Sequence, residues 1–86
     1  ENRTIFFFFY PIDFTKIEFE IFIFLIENKN KISSREQILN ATSLDLNTKN
    51  RTIDMHISNI RCKIEDDSKN PKYIKSVWGI GYKFVG

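Results

Sequence analysis

"RTIDMHISNIRCKIE", residues 51–65, carries isoleucine at positions 53, 57, 60 and 64. At about 100° per residue these four fall within roughly 60° of one another, the stripe of an amphipathic helix with one buried face. Arg51, Met55, Ser58, Asn59 and Cys62 project almost opposite the stripe. Thr52, His56 and Lys63 line one flank, and Asp54, Arg61 and Glu65 the other. The five outward residues include no acid, whereas a face that is merely solvated usually mixes signs. Donors, acceptors and small apolar groups on a helix are what reading of the DNA major groove requires. Arg51 suits guanine or a phosphate. Asn59 has the paired donor and acceptor that match adenine, and Met55 with Ser58 or Thr52 suits a thymine methyl. His56 and Lys63 suit the phosphate rim, which positions a protein without specifying sequence.

The flanking segments supply what such a helix packs on. "DDSKNP", residues 66–71, stops it at Pro71. Beyond it "YIKSV" (73–77) and "YKFV" (82–85) flank "WGIG", whose two glycines permit a tight hairpin. Upstream, "TKIE" reads as a capping box, with Thr15 at the N-cap and Glu18 answering it, and opens a helix running to about Asn28. Phe19, Phe22, Ile23 and Ile26 make its stripe, and Ile21, Phe24 and Leu25 widen it almost all round. "SSREQILNA" (33–41) starts another helix, with Ser33 or Ser34 as cap and Glu36 or Gln37 as partner. Ile38 and Leu39 point inward from it, and "TSLDLNTKN" (42–50) is a polar loop. "TIFFFFYPIDF" reads as two short strands, about 4–8 and 11–14. The order is β-β-α-α-α-β-β, an α+β class with a single small core.

Composition narrows the function. The formal net charge of the 86 residues is only +2, but it is unevenly spread. Residues 1–27 balance to −3, and residues 28–86 carry eleven Lys/Arg against six acids. From Lys69 onward there are four lysines and no acid, which fits one face turned to a polyanion. One cysteine excludes an internal disulfide, and one cysteine with one histidine excludes a zinc site. No cofactor site is expected. Cys62 has no resolving partner and reads as an accidental exposed thiol. No nucleophile or acid forms a relay with His56, so an enzyme is not expected. The apolar runs are far below the ~20 residues of a membrane span. The abrupt start suggests a fragment of a longer chain.

"FTKIEFEIFIFLIENKNKISSREQIL", "NRTIDMHISNIRCKIEDD" and "NPKYIKSVWGIGYKF" together resemble the DNA-binding effector domain of OmpR/PhoB-type response regulators, over about residues 11–84. The resemblance implies a winged helix-turn-helix: three helices, a truncated N-terminal antiparallel sheet and a C-terminal β-hairpin wing. The second helix becomes the positioning helix, residues 49–65 the recognition helix, and 73–85 the wing at the DNA backbone and minor groove. It implies a non-enzymatic, cytoplasmic transcription regulator of a two-component phosphorelay, one domain over 1–86. The receiver domain, through which a sensor kinase would act, and the first strands of the sheet are missing. It further implies a dimer on tandem half-sites and contact with RNA polymerase through loop 42–50. Arg51, Thr52, His56 and Arg61 match recognition-helix positions, Arg61 as a structural ion pair rather than a DNA contact. Ser34 and Arg35 match phosphate-facing positions at the start of the positioning helix. Tyr82 matches a packing position and Lys83 a phosphate-facing one on the wing. Ser58, Asn59 and Cys62 stand where basic residues are common, and Trp78 where many members have Arg. The poverty in Arg suggests A·T-rich sites. The competing expectation is a winged helix used only for protein contact.

Overall fold

The computed structural model describes residues 4–7 and 10–86. Two antiparallel strands, β1 (Thr4–Phe7) and β2 (Tyr10–Asp13), pair with Phe7 opposite Tyr10. The end of the first expected strand, at Phe8, lies outside the described residues. Three helices follow: α1 (Lys16–Glu27), α2 (Arg35–Asn40) and α3 (Asn50–Ile64). Ahead of α2 lies a two-residue strand, β3 (Ser33–Ser34), and the chain closes with β4 (Ile74–Val77) and β5 (Gly81–Phe84). The last three strands form one antiparallel sheet in the order β3-β5-β4.

Both caps form as their residues require. The Thr15 hydroxyl accepts from the Glu18 amide at 3.2 Å while the Glu18 carboxylate accepts from the Thr15 amide at 3.0 Å. Ser34 and Gln37 make the same reciprocal pair at 3.0 and 2.8 Å, which resolves the choice of cap for α2. Each exchange satisfies two amides that a helix start leaves without partners.

The core is built by three faces. Ile53, Ile57, Ile60 and Ile64 are all buried, as the stripe requires. From α1 the fully buried residues are Ile21, Phe22 and Leu25, with Glu18 buried beside them. This shifts the expected α1 stripe: Phe19, Ile23 and Ile26 are only half-buried. The true i, i+3, i+4, i+7 set is 18, 21, 22 and 25, and its first member is an acid. Apolar periodicity cannot pick a face on a helix that is apolar nearly all round. Ile74, Tyr82 and Phe84 from the wing and Ile38 from α2 complete the interior.

β3 left no signal in the sequence because two residues have no periodicity. It exists because Ser33 and Ser34 lie opposite Tyr82 and Gly81 on β5. The approach is so close that a Cβ at Gly81 would stand 2.0 Å from the Ser33 carbonyl oxygen. Only glycine fits there.

Candidate nucleic-acid interface

The helix α3 presents two surfaces. Opposite the buried isoleucines, Arg51, Met55, Ser58, Asn59 and Cys62 are all exposed, and Thr52 and His56 are half-buried on the flank. Among the described residues no side-chain hydrogen bond or ion pair engages Arg51, His56, Ser58 or Asn59. The start of α3 has no side-chain cap and no acid in its first turn. Its positive dipole end therefore stands beside the Arg51 charge rather than being neutralised.

The flanks behave differently. Asp54 accepts from Arg35 of α2 at 2.8 and 3.3 Å and from the Tyr82 hydroxyl of β5. The Arg35 and Arg61 guanidiniums both lie over the Tyr82 ring, 5.4 and 5.3 Å from its centroid. Arg61 also donates to the Ile74 carbonyl at 2.8 Å and to the Ser76 hydroxyl at 2.9 Å. One tyrosine thus joins the second helix, the third helix and the wing.

Four of the expected residues have partners within the fold. Arg35 is not a free phosphate-facing cation; its fork is engaged by Asp54. Lys63, expected on the phosphate rim, is engaged within the fold. Its ammonium donates to the Glu18 carboxylate and to the Asp13 carbonyl, and it sits 5.5 Å over the Phe14 ring. Burying Glu18 demands a counter-charge, and Lys63 is placed to supply it from across the core. Among the described residues Arg61 makes no ion pair; carbonyl and hydroxyl oxygens of the wing are its partners. Ser34 is taken up by its capping exchange and by pairing with Gly81.

Sequence inspection missed Glu65. It is buried at the end of α3, and its carboxylate accepts from the amides of Lys72, Tyr73 and Ile74 at 2.7–3.2 Å. It ties the start of the wing to the end of the helix. The sign in the sequence was weak, one acid just before a turn that holds two more. At the other end of the wing Trp78 is 97% exposed, and Lys83 pairs in register with Lys75 on the outer face. In the loop before α3, Glu20 of α1 accepts from the Ser43 amide and hydroxyl at 2.8 and 2.7 Å, and Leu46 is exposed.

Two engaged carboxylates, Asp54 and Glu18, are held below their ordinary values. Burial alone would raise Asp54, but hydrogen bonds from Arg35 and Tyr82 outweigh it and hold the group below its ordinary 3.8. Burial opposes Glu18 in the same way, and hydrogen bonds from Lys63 and the Thr15 amide hold it below 4.5. A depressed carboxyl contributes stability that is fully present above its unfolded value and is lost as pH falls through its folded value. Thermal melts should therefore be flat from neutrality down to about pH 5 and fall below about pH 4. Asp54→Asn should flatten part of that fall. Identical acid profiles for the two proteins would rule out Asp54 as a contributor.

No helix among the described residues is long and apolar enough to cross a membrane. Among them, too, no three His, Cys, Asp or Glu side chains are grouped to hold a metal ion.

Comparison with known proteins agrees with this layout. Residues 10–84 match the family model for the C-terminal domain of transcriptional regulatory proteins. The regulatory protein VanR of Enterococcus faecium is 42% identical over 74 residues, covering 84% of this chain and 32% of that protein. The response regulator DrrB of Thermotoga maritima, an OmpR/PhoB homologue, superposes with a TM-score of 0.87 at 43% identity, covering 96% of this chain and 38% of that one. The DNA-binding domain of RstA from Klebsiella pneumoniae, solved in complex with the RstA box, gives 0.76 at 25% identity, over 87% of this chain and 75% of that one. The chain spans roughly a third of the length of the curated relatives it matches. It belongs to the family of C-terminal, winged-helix effector domains of OmpR/PhoB-type transcriptional response regulators.

Proposed function

We propose that this chain binds double-stranded DNA sequence-specifically, with α3 in the major groove and the hairpin 73–85 along the backbone and minor groove. The observation that carries this reading is the exposed, acid-free face of Arg51, Met55, Ser58, Asn59 and Cys62, whose polar groups are not engaged by the described remainder of the fold. Thr52 and His56 border it, and Lys83 and Trp78 extend it onto the wing. Arg35 and Lys63 are left out of this surface because their charges are already engaged. The RstA domain bound to its box lends support by likeness.

The wider role follows the relatives. The chain serves as the DNA-binding part of a cytoplasmic regulator in a two-component system, joined in the intact protein to a phosphoaccepting receiver domain. Two copies occupy tandem half-sites about one helical turn apart. The loop 42–50, anchored by Glu20 and exposing Leu46, is the surface for RNA polymerase.

Selection of bound sequences from random DNA tests the central claim. An enriched motif is expected, with affinity falling steeply as salt rises, about 0.9 in log–log slope per phosphate contacted. No motif in low salt, together with salt-insensitive capture of a protein, would favour a module for protein contact instead. Asn59→Ala should cost about 1–3 kcal/mol on the selected site and relax preference at one base pair. An equal loss on every sequence would exclude Asn59 from base reading.

A further inference from the structure

Asp54 is the single acid among residues 50–64, and it stands on a flank of the helix that carries the reading face. An anion there repels phosphates. The helix gains nothing local from it, because Asp54 lies beyond the first turn, where a carboxylate would answer the dipole. Arg35 is misplaced in the same way. It is the first residue of α2, a cation at the positive end of a helix. Each residue goes against its own helix, and the two meet across 19 residues of sequence. The Arg35 fork donates through Nε at 2.8 Å and Nη2 at 3.3 Å to the two oxygens of Asp54. The Tyr82 hydroxyl of β5 donates to the same carboxylate, and the charge of Arg61 lies close enough to favour its ionised form. The cluster is not sealed in the core: the Asp54 side chain is 40% exposed and that of Arg35 28%. Departures from local rules that the fold as a whole reconciles are expected at functional positions.

We infer that Asp54 is a specificity-determining residue of the DNA interface, acting through Arg35 and Tyr82 rather than by touching a base. This rests on the DNA-binding reading above and adds a positioning residue that the exposed face of α3 leaves out. Two effects combine. The bidentate hold fixes the Arg35 fork in one plane, with its guanidinium over the Tyr82 ring. It keeps a long, flexible cation from swinging to whichever phosphate is nearest. Phosphate contacts add affinity on every sequence alike, so a loose cation dilutes discrimination. The same carboxylate joins α2, α3 and β5, which fixes the orientation of α3 relative to its neighbours. Base reading by Arg51 and Asn59 needs that fixed orientation, since hydrogen bonds weaken steeply when misaligned. Asp54 gives up overall affinity and gains discrimination.

Charge alone gives the opposite sign. An acid that merely sat near DNA would, once neutralised, let the chain bind every duplex more tightly and in equal measure. Asp54→Asn should instead lower the ratio of affinities for the selected and a random duplex about tenfold, the size of one mismatched base pair. Affinity for the random duplex should rise, and its salt slope should steepen by about one phosphate's worth as Arg35 is freed. Adding Arg35→Gln should return the slope to the parent's value without restoring the ratio. Glu36→Gln removes an exposed acid beside Arg35 and controls for charge; it should leave the ratio unchanged. Tyr82→Phe keeps the ring and the pairing of Asp54 with Arg35. It should lower the ratio severalfold at an unchanged slope, and it carries the test if Asp54→Asn is too unstable to assay. In proton–nitrogen NMR spectra the Arg35 Nε–H signal should persist in the complex with the selected duplex. The inference is overturned if Asp54→Asn, or Tyr82→Phe in its place, keeps the parent's ratio. It is also overturned if Glu36→Gln lowers the ratio equally, or if the Arg35 signal is lost when the selected duplex binds. Failure of the DNA-binding reading looks different, because the parent chain itself then selects no motif.

Discussion

Phe22→Ala should lower the free energy of unfolding by about 3–5 kcal/mol. Phe22 is fully buried, and its ring is the meeting point of the whole interior. It stacks on Phe14 at 5.1 Å and meets Phe7 and Phe84 edge-on at 6.1 and 5.8 Å. Those partners come from the segment before α1, from β1 and from β5, so one ring joins three parts of the chain. Truncation removes its burial and leaves a cavity that rigid neighbours fill only partly. Small domains hold only a few kcal/mol in reserve. Much of the variant population should therefore be unfolded at physiological temperature, and its DNA binding should fall with its folded fraction. Urea denaturation measures the effect. A loss under about 1 kcal/mol would mean that the surrounding aromatics collapse into the space, contrary to the close packing described.

The second large effect is at Glu65. Glu65→Ala removes the acceptor of three backbone amides at once, those of Lys72, Tyr73 and Ile74. Charge-assisted bonds are worth more than neutral ones, and the Ile74 amide is buried with no nearby substitute. A cost of about 3 kcal/mol is expected. Glu65→Gln keeps one acceptor oxygen and should cost clearly less. Hydrogen exchange should speed up at residues 72–74 in the alanine variant before it does so in the interior of α3. Equal exchange at those amides in the variant and the parent chain would show that the wing is held by its core contacts alone. The functional consequence follows from the same bonds, because a wing released from α3 no longer presents Lys83 and Trp78 in a fixed relation to Arg51 and Asn59.

Much of this molecule could be read along the chain. The α3 wheel separated four buried isoleucines from five exposed residues, and the structure divides them in the same way. Thr15 caps with Glu18 as the three-residue spacing dictates, and α2 opens with one of its two equally spaced candidate pairs, Ser34 with Gln37. These features were legible because they depend on local geometry, on helical period and on amides within one turn. The face of α1 was not, since a helix apolar on nearly every side gives the same signal in every direction. Nor was β3, which is made by the approach of β5 and has too few residues for a pattern of its own.

The charges divide along the same line. Sequence alone determined which residues α3 buries and which it shows, because side-chain direction follows from 3.6 residues per turn. Only the tertiary structure decided which cations remain available to a ligand. Arg35 meets Asp54 across 19 residues of sequence, and Lys63 meets Glu18 across 45. Such pairs are made by proximity in space, through the packing of one helix on another, and no spacing in the chain announces them. Their formation gives two expected interface cations partners within the fold, whereas Arg51, His56 and Asn59 have no side-chain partner among the described residues. A buried carboxylate must be answered by whichever cation or amide donors the fold brings within reach, and that reach is set by packing rather than by order along the chain.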